Sequence, residues 1–477
     1  MIAAPPMIPP GTGTGNGVAS LSLVVMAVTV AIHEVTGATW TWIPGGLAFV
    51  LGFIVPQWRL LVRPARILAG VAVGLGAMLP ALGWISLDVL HRALDQALFF
   101  AFFVAMLAVL QDTAAQSPLI RRSGALLLTQ PPGRRYSVLT LGSMLMGVLL
   151  NLGVLSLLGT MVAQGVEQRR AESGDRVADI RLQRTSLAVL RGFCTVPLWS
   201  PTSISMPIVL AALPGLAWAD LLPYGASAAL ILLGLGWVMD RQSHRRPATP
   251  RQAQPWVRPL LPLLALIAAI LAVGIAMGAL LGVRMITAIL VSIPAIALVW
   301  QALQRRGAGQ ARPLAQAARA LATQTLPKLP SFRSEMAIFA ASGAIAILLL
   351  PLIDIDALGR LIAALGMGEG AVMVAGFATI FSLSFLGINP IVTVSILLGV
   401  LPSLPGLSFV PIHLALMALI GWTLSVGISP LSAAVRITAR AIGQEPATLS
   451  LRWNGAYSVT AATLVIAVLL VLGGSGG

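Results

Sequence analysis

The feature that most constrains this chain of 477 residues is a long series of apolar segments separated by short polar loops. A helix needs roughly 17 to 25 residues, most of them apolar, to cross the hydrocarbon core of a bilayer. The segments that meet this length are 18–35, 41–57, 67–86, 94–112, 186–213, 221–239, 259–283, 285–303, 335–353, 412–435 and 455–473. We therefore predict an all-α polytopic membrane protein with about eleven transmembrane helices. With 57% hydrophobic and 9% charged residues, the chain has too little polar surface for a water-soluble globule.

Two further apolar stretches, 138–166 and 370–401, are interrupted near the middle by Asn151 and Asn389. We expect both to be re-entrant hairpins, which enter and leave the membrane on one side. With both hairpins returning, nearly all basic loops fall on one face. The other face keeps only Arg92, Arg284 and Arg360. Because Lys and Arg mark cytoplasmic loops, this predicts a bacterial-type inner membrane protein with its N-terminus in the cytoplasm and its C-terminus outside.

After the first span, each half of the chain reads as three crossings, a hairpin, a broken crossing and a final crossing. Five crossings is an odd number, so the second copy starts on the opposite face and the repeat has inverted topology. The predicted segments are a mobile tail 1–17, a first span 18–40, a first repeat 41–240, a cytoplasmic linker 241–258 and an inverted second repeat 259–477. The first repeat holds hairpin 138–166 and broken helix 186–213, and the second holds hairpin 370–401 and broken helix 412–435. We expect the basic stretches 241–258 and 305–333 to be loops or interfacial amphipathic helices.

Both broken helices carry the pattern Ser-Pro-x-Ser, at residues 200–203 and 429–432. The proline removes a backbone donor and drives the preceding residue out of the helical conformation. Lipid cannot satisfy the freed backbone groups, so each break must face protein or a water-filled cavity. Helix N-termini at such breaks favour anions, whereas unwound carbonyls with Ser, Thr or Asn oxygens suit Na⁺. The alternative is that Ser-Pro only kinks a helix and Asn only caps a turn.

These breaks predict one central substrate site. Its candidate residues are Asn151, Ser200, Pro201, Thr202, Ser203, Asn389, Pro390, Thr393, Ser429, Pro430 and Ser432. Asn151 and Asn389 are also candidate ligands for a coupling Na⁺. We predict no other cofactor.

Ionisable groups are placed away from the centres of the spans. Every Asp and Glu falls in a predicted loop or at a span end, and the four histidines lie near ends too. Proton-coupled transporters commonly relay protons through intramembrane carboxylates or histidines, so proton coupling is disfavoured. No nucleophile, base and orienting acid converge at one depth, so we expect no enzyme and no catalytic residue. Arg191 is the one basic residue inside a predicted span. We expect it to snorkel to the cytoplasmic interface, with contact to an anionic substrate as the alternative.

Two compositional features limit the partners. The net charge of +15 comes from residues in loops without interleaved aromatics, so nucleic acid is not an expected partner. Cys194 is the only cysteine, which excludes an intrachain disulfide and a thiolate metal cluster. The expected partners are the lipid bilayer and a small anion.

The order of these motifs, together with SFLGINPIVTVSILLGV and GWTLSVGISPLSAAV in the second half, resembles the ion transporter superfamily. Within it, the chain is most similar to the divalent anion/sodium symporters. The resemblance implies two hairpins, a homodimer held by scaffold helices, and an elevator movement of the domain that carries hairpins and breaks. In that family each hairpin tip reads Ser-Asn-Thr, whereas only the Asn carries over here, to Asn151 and Asn389.

The residues and the resemblance together predict a secondary active transporter that moves a small carboxylate-like anion with Na⁺ by an elevator mechanism. One alternative is an inorganic-anion exporter or a Na⁺/H⁺ antiporter of the same superfamily. Another is a membrane enzyme or a lipid-handling protein. A polar pocket closed to lipid favours transport, and a lateral opening with a His or carboxylate at headgroup level favours lipid chemistry.

The charge distribution gives a test of topology. In a Cys194→Ala background, a cysteine at Gly215 should react with an impermeant thiol reagent added outside, and a cysteine at Ser243 should not. Reaction at both positions would contradict the inverted repeat.

Overall fold

A computed structural model describes residues 14–168, 170, 174–243 and 260–474. Most of the predicted tail 1–17 and of the predicted linker 241–258 lies outside these residues. The described residues form helices joined by short turns, and they contain no strand. The prediction of an all-α polytopic membrane protein is therefore confirmed.

We number the helices in chain order. Those before residue 244 are α1 Thr14–Thr36, α2 Thr39–Leu60, α3 Arg63–Ala81, α4 Leu87–Gln116, α5 Pro118–Leu128, α6 Pro132–Leu150, α7 Gly153–Glu167, α8 Asp175–Cys194, α9 Ser205–Ala212 and α10 Trp218–Ser243. Those after residue 259 are α11 Leu261–Leu281, α12 Met285–Gly307, α13 Pro313–Leu352, α14 Ile355–Ala364, α15 Glu369–Leu386, α16 Pro390–Val400, α17 Pro411–Ile428, α18 Ala433–Ala441 and α19 Gly455–Gly474. Within α2 and α13 lie the π-helical segments Ala48–Ile54 and Leu321–Thr325.

Many helix starts follow from local chemistry. Proline is the first residue of α5, α16 and α17, where a missing N–H costs nothing because first-turn N–H groups have no helical partner. The side chain of Asp354 caps α14 by accepting from the backbone N–H of Ala357. Ser432 caps α18 in the same way through Val435. These caps satisfy donors that would otherwise be left unpaired.

Among the described residues, eleven helices are long and apolar enough to cross a membrane. The number is as predicted, but the set differs. The predicted span 186–213 is absent from it, because its residues are divided between α8 and the eight-residue helix α9. The first half of α8 also carries five charged residues, Asp175, Arg176, Asp179, Arg181 and Arg184. The eleventh helix of the set is instead α15, which is the first arm of the second predicted hairpin.

The chain divides into two compact units. The first contains the described residues up to Thr113 and Ile270–Leu348, and the second contains Ala114–Ala269 and Leu349–Gly477. Each unit thus draws on both predicted repeats, because each predicted repeat contributes its early helices to the first unit and its hairpin and broken helix to the second. The inverted orientation of the repeats stays a prediction.

In the first unit, hydrogen bonds link helices that are distant in sequence. The carboxylate of Asp112 on α4 accepts from the Thr325 hydroxyl at 2.7 Å and from the Lys328 ammonium at 2.8 Å, both on α13. The Glu34 carboxylate on α1 accepts from the Thr287 hydroxyl on α12 at 3.0 Å. These contacts join α1 to α12 and α4 to α13.

In the second unit, α8 packs closely against α6. The Ser143 hydroxyl donates to the carbonyl oxygen of Val189 at 2.7 Å. At Gly192 the two backbones approach so closely that a Cβ atom would overlap the carbonyl of Thr140. Glycine at this position therefore permits the first hairpin to lie against the first broken helix.

This close approach gives a prediction for stability. Gly192→Ala should lower the melting temperature in detergent, because the new methyl group meets backbone that cannot rotate away. Overpacking of this kind typically costs about 1–3 kcal/mol. The control is Gly165→Ala on α7, where a Cβ atom has nothing within 4 Å, so alanine should be neutral or slightly stabilising. Equal melting temperatures for the two variants would contradict this account of the helix packing.

Candidate functional site

The tip of the first hairpin is a two-residue turn between α6 and α7. Asn151 has φ of 47° and ψ of −136°. Positive φ is uncommon outside glycine, although Asn adopts it more readily than most residues. The half-buried amide of Asn151 makes no hydrogen bond to any residue in the described part of the chain. A strained backbone that presents an unpartnered polar group is a pattern found at functional sites.

The tip of the second hairpin is built differently. Gly387, with φ of +79°, ends a 3₁₀ turn at the end of α15. The side-chain oxygen of Asn389 then accepts from the N–H of Ile391 at 3.0 Å and so caps α16. The capping role that we considered as an alternative is therefore observed at Asn389 and not at Asn151. The Nδ2 of Asn389 has no partner within the described residues. Thr393, on the first turn of α16, is buried.

The first Ser-Pro-x-Ser sequence lies where α8 and α9 are separated. The Ser200 hydroxyl oxygen accepts from the N–H of Thr202 at 3.3 Å. The Thr202 hydroxyl donates to the carbonyl of Val148 at 2.9 Å. Val148 lies in the last turn of α6, where carbonyl oxygens have no N–H partner within the helix. The Thr202 hydroxyl supplies the missing donor. The Ser203 hydroxyl pairs with that of Ser205 at 2.9 Å, so it stays within the break.

The second Ser-Pro-x-Ser sequence repeats this geometry between α17 and α18. The Ser429 hydroxyl oxygen accepts from the N–H of Leu431, again at 3.3 Å. The same hydroxyl donates to the carbonyl of Ser384 at 2.7 Å. Ser432 caps α18, and its hydroxyl also donates to Val426 at 2.7 Å. The two prolines follow the turn-forming serines, and Pro201 is buried whereas Pro430 is half-buried.

The hairpins and the broken helices contact each other within each half and also between the halves. Within each half, one hydroxyl of the break donates to a carbonyl at the end of the first hairpin arm. Between the halves, α9 packs against α16, and α18 packs against α7. The helix after each break thus contacts the second arm of the hairpin from the other half. All predicted site residues lie in the second unit, and this packing brings both hairpins and both breaks together there.

Arg191 departs from the sequence prediction. The side chain does not snorkel, because Arg191 is only 7% exposed and lies among protein groups. Its Nε donates to Oδ1 of Asn454 at 2.8 Å, and Nη1 donates to the hydroxyl of Tyr136 at 3.0 Å. Its guanidinium carbon lies 4.1 Å from the ring centroid of Tyr457. These groups come from two separate parts of the chain, and they give Nε and Nη1 hydrogen-bond acceptors and the guanidinium an aromatic face, but no negative charge.

A small cavity of about 10 Å³ lies beside this cluster. It is lined by the buried residues Arg191, Cys194, Thr195, Thr423, Leu424, Gly427, Asn454, Tyr457 and Ser458. Asn454 connects the cluster to the second break, because its Nδ2 donates at 3.0 Å to the carbonyl of Gly427. Our sequence analysis missed Asn454, which lies in a short polar segment without a motif. The signal that could have found it is an uncharged polar residue directly before an apolar span.

The described residues contain no group of three or more His, Cys, Asp or Glu side chains that could hold a metal ion. A cation near the hairpins would therefore depend on neutral oxygens from the backbone, Asn, Ser and Thr. Such oxygens suit Na⁺. The role of Asn151 and Asn389 as Na⁺ ligands stays a prediction.

The fold and these helix breaks define an all-α, multi-pass membrane protein. No family model matches the chain, and no significant match was found among curated proteins. The Alcanivorax borkumensis YdaH transporter is similar with 16% identity and a TM-score of 0.49, over 86% of this chain and 97% of that one. Neisseria gonorrhoeae MtrF, from a class of antimetabolite efflux pumps, is similar with 15% identity and a TM-score of 0.47, over 81% of this chain and 84% of that one. At these TM-scores we base no conclusion on either likeness, and the resemblance to divalent anion/sodium symporters stays a prediction.

The bonds between breaks and hairpins can be tested by removing one hydroxyl at a time. Thr202→Val and Ser429→Ala should each destabilise the protein, since each removes a donor to a hairpin carbonyl. An unpaired buried carbonyl costs about 1–3 kcal/mol. In Ser429→Ala the Ser384 carbonyl keeps the N–H of Gly387 as a donor, but the N–H of Leu431 loses its acceptor, so we expect the two variants to be destabilised to a similar extent. Melting temperatures in detergent measure both effects.

The matched control for these variants is Thr460→Val on α19. Its exposed hydroxyl bonds only within its own helix, to the Ala456 carbonyl at 2.9 Å, so the change should stay within about 0.5 kcal/mol. If Thr202→Val were no more destabilising than this control, the bond would not hold break and hairpin together.

Proposed function

We propose that this protein is a secondary active transporter that moves a small carboxylate-like anion across a bacterial-type inner membrane, coupled to Na⁺, by an elevator movement. The observation that carries the proposal is the paired set of breaks. In each half, the broken helix is hydrogen-bonded to the hairpin of that half. Between the halves, the helix after each break packs against the hairpin of the other half. Broken helices at the interface of two repeats are where secondary transporters bind their substrates.

The chemistry of these breaks suits an anion together with a cation. The helices α7, α9, α16 and α18 each begin at a break, and helix N-termini carry a partial positive charge. The amide of Asn151 and the Nδ2 of Asn389, neither of which has a partner among the described residues, add donors for carboxylate oxygens. The side-chain oxygen of Asn151 and the unwound carbonyls add ligands for Na⁺.

The division into two units supports an elevator movement. One unit carries both hairpins and both breaks, and the other is built from α1 to α4, the second half of α11, α12 and most of α13. An elevator requires one body that carries the site and one that stays fixed in the membrane. A homodimer held through the fixed unit belongs to the same proposal.

The experiment is transport by the purified protein in proteoliposomes, with small carboxylates, sulfate and phosphate as candidate substrates. Uptake should require Na⁺ and change little between about pH 6 and pH 8, since neutral oxygens do not titrate there. Indifference to Na⁺, combined with loss of uptake on adding a proton uncoupler, would contradict the coupling. Transport of sulfate or phosphate alone would favour the inorganic-anion alternative.

Variants of the hairpin tips test the site itself. Asn151→Gly removes the amide and also relieves the positive φ, so it should keep or raise stability while weakening substrate binding. Asn151→Ala removes the amide and keeps the strain, so it should bind as weakly and be less stable. Asn389→Ala should also lose binding. Losing one hydrogen bond to a charged partner costs about 1.5 to 3 kcal/mol, or ten- to over a hundred-fold in affinity.

The control is Gln316→Ala, which removes an exposed amide of the first unit and should leave transport unchanged. Near-wild-type transport by the Asn151 and Asn389 variants would mean that both residues only form the hairpin turns and do not bind substrate.

A further inference from the structure

We propose that the cavity beside Arg191 binds a small monovalent anion, of the size of chloride, as the counter-ion of the buried guanidinium. This site goes beyond the proposed transport function, because the anion would be held by the resting protein and need not be the transported species. Three features of the described residues carry the inference: an uncompensated charge, a set of unused donors and a cavity of limited volume.

The charge of Arg191 has no acidic partner in the described part of the chain. Both of its hydrogen-bond acceptors are neutral, the amide of Asn454 and the hydroxyl of Tyr136. The carboxylate of Asp240, on the neighbouring helix α10, is bound by both nitrogens of the Arg184 fork at 2.8 and 2.7 Å. Buried charges in proteins are normally paired, because an isolated charge of low exposure loses its hydration without compensation.

The side chains around the cavity present hydrogen-bond donors. The Thr423 hydroxyl is 2% exposed and has no hydrogen-bond partner in the part of the chain that the structure describes. The Ser458 hydroxyl accepts from Asn454 at 3.4 Å, and its own proton has no acceptor among the described residues. The Nη2 of Arg191 likewise makes no hydrogen bond within the described residues. Thr423, Ser458 and Arg191 all line this cavity, and two hydroxyls together with a guanidinium suit an anion better than a cation.

The volume selects the kind of anion. A cavity of about 10 Å³ is on the order of what one water molecule needs. Sulfate, phosphate and carboxylates are too large for this space, so the proposal is restricted to a monatomic anion such as chloride. The nine lining residues are all buried, so the anion would be enclosed by protein and exposed little to solvent.

The test is thermal unfolding of the purified full-length protein in detergent, in sodium gluconate and in sodium chloride at equal Na⁺ and ionic strength. Gluconate is a monovalent anion that is too large for the cavity. A ligand bound only by the folded state raises the melting temperature. The wild type should therefore show a saturable rise with chloride, of about 2 °C or more.

Thr423→Val removes one donor and keeps the shape of the side chain. It should lose most of the chloride response, while its melting temperature in gluconate is unchanged or higher, because an unpaired buried hydroxyl is gone. The matched control is Ser186→Ala on α8. Its hydroxyl is also buried and lacks a partner among the described residues, but it does not line the cavity, so the chloride response should persist.

Absence of a chloride effect in the wild type would mean that the cavity holds water, and the proposal would be overturned. An undiminished response in Thr423→Val would place the anion elsewhere and would also overturn it. Arg191→Gln should abolish the response if it folds, and Thr423→Val decides the question if it does not. Because these readouts need no transport, they are independent of the proposed function.

Discussion

Helices that break inside apolar segments leave backbone carbonyls and N–H groups that lipid cannot satisfy. In this protein those groups are satisfied in pairs. The Thr202 hydroxyl donates to the end of the first hairpin arm, and the Ser429 hydroxyl does so in the second half. The Ser-Pro turn makes this possible, because it holds the serine oxygen against the N–H two residues ahead. The arrangement of the hairpins depends on these short bonds.

A consequence is that most polar side chains of the breaks and of the second hairpin tip already serve stability. The hydroxyls of the breaks are already committed to structural bonds, and Ser432 and Asn389 cap helices. The amide of Asn151 is not committed within the described residues, and its backbone is strained. We therefore expect the Asn151 side chain to contribute more to ligand affinity than to the stability of the fold.

Arg191 is a second buried polar group whose hydrogen bonds are supplied by distant residues, but here a charge is left without an opposite charge. A neutral amide, a phenol and an aromatic face surround the guanidinium, and together they supply hydrogen bonds without a full opposite charge. At the cavity beside it, the described contacts leave the charge of Arg191 without an acidic partner and the Thr423 hydroxyl without an acceptor. An enclosed anion would resolve this imbalance.

The sequence by itself determined the fold class and the positions of the interruptions. Apolar run length fixes the number of candidate spans, and Pro, Gly and Asn fix where α6, α8, α15 and α17 end, since these are local properties of the backbone. The sequence predicted 186–213 as a broken helix, and the structure divides these residues between α8 and α9. Hydropathy alone counted this segment among the spans, because the length of an apolar run does not show how short each half-helix is.

Only the tertiary structure decided which breaks meet and where Arg191 lies. The partner of Arg191, Asn454, is 263 residues away, and no local pattern connects the two. The crosswise packing of α9 on α16 and of α18 on α7 is likewise a matter of side-chain complementarity between distant segments. Local sequence sets backbone conformation, whereas burial of charge depends on what the whole fold places around it.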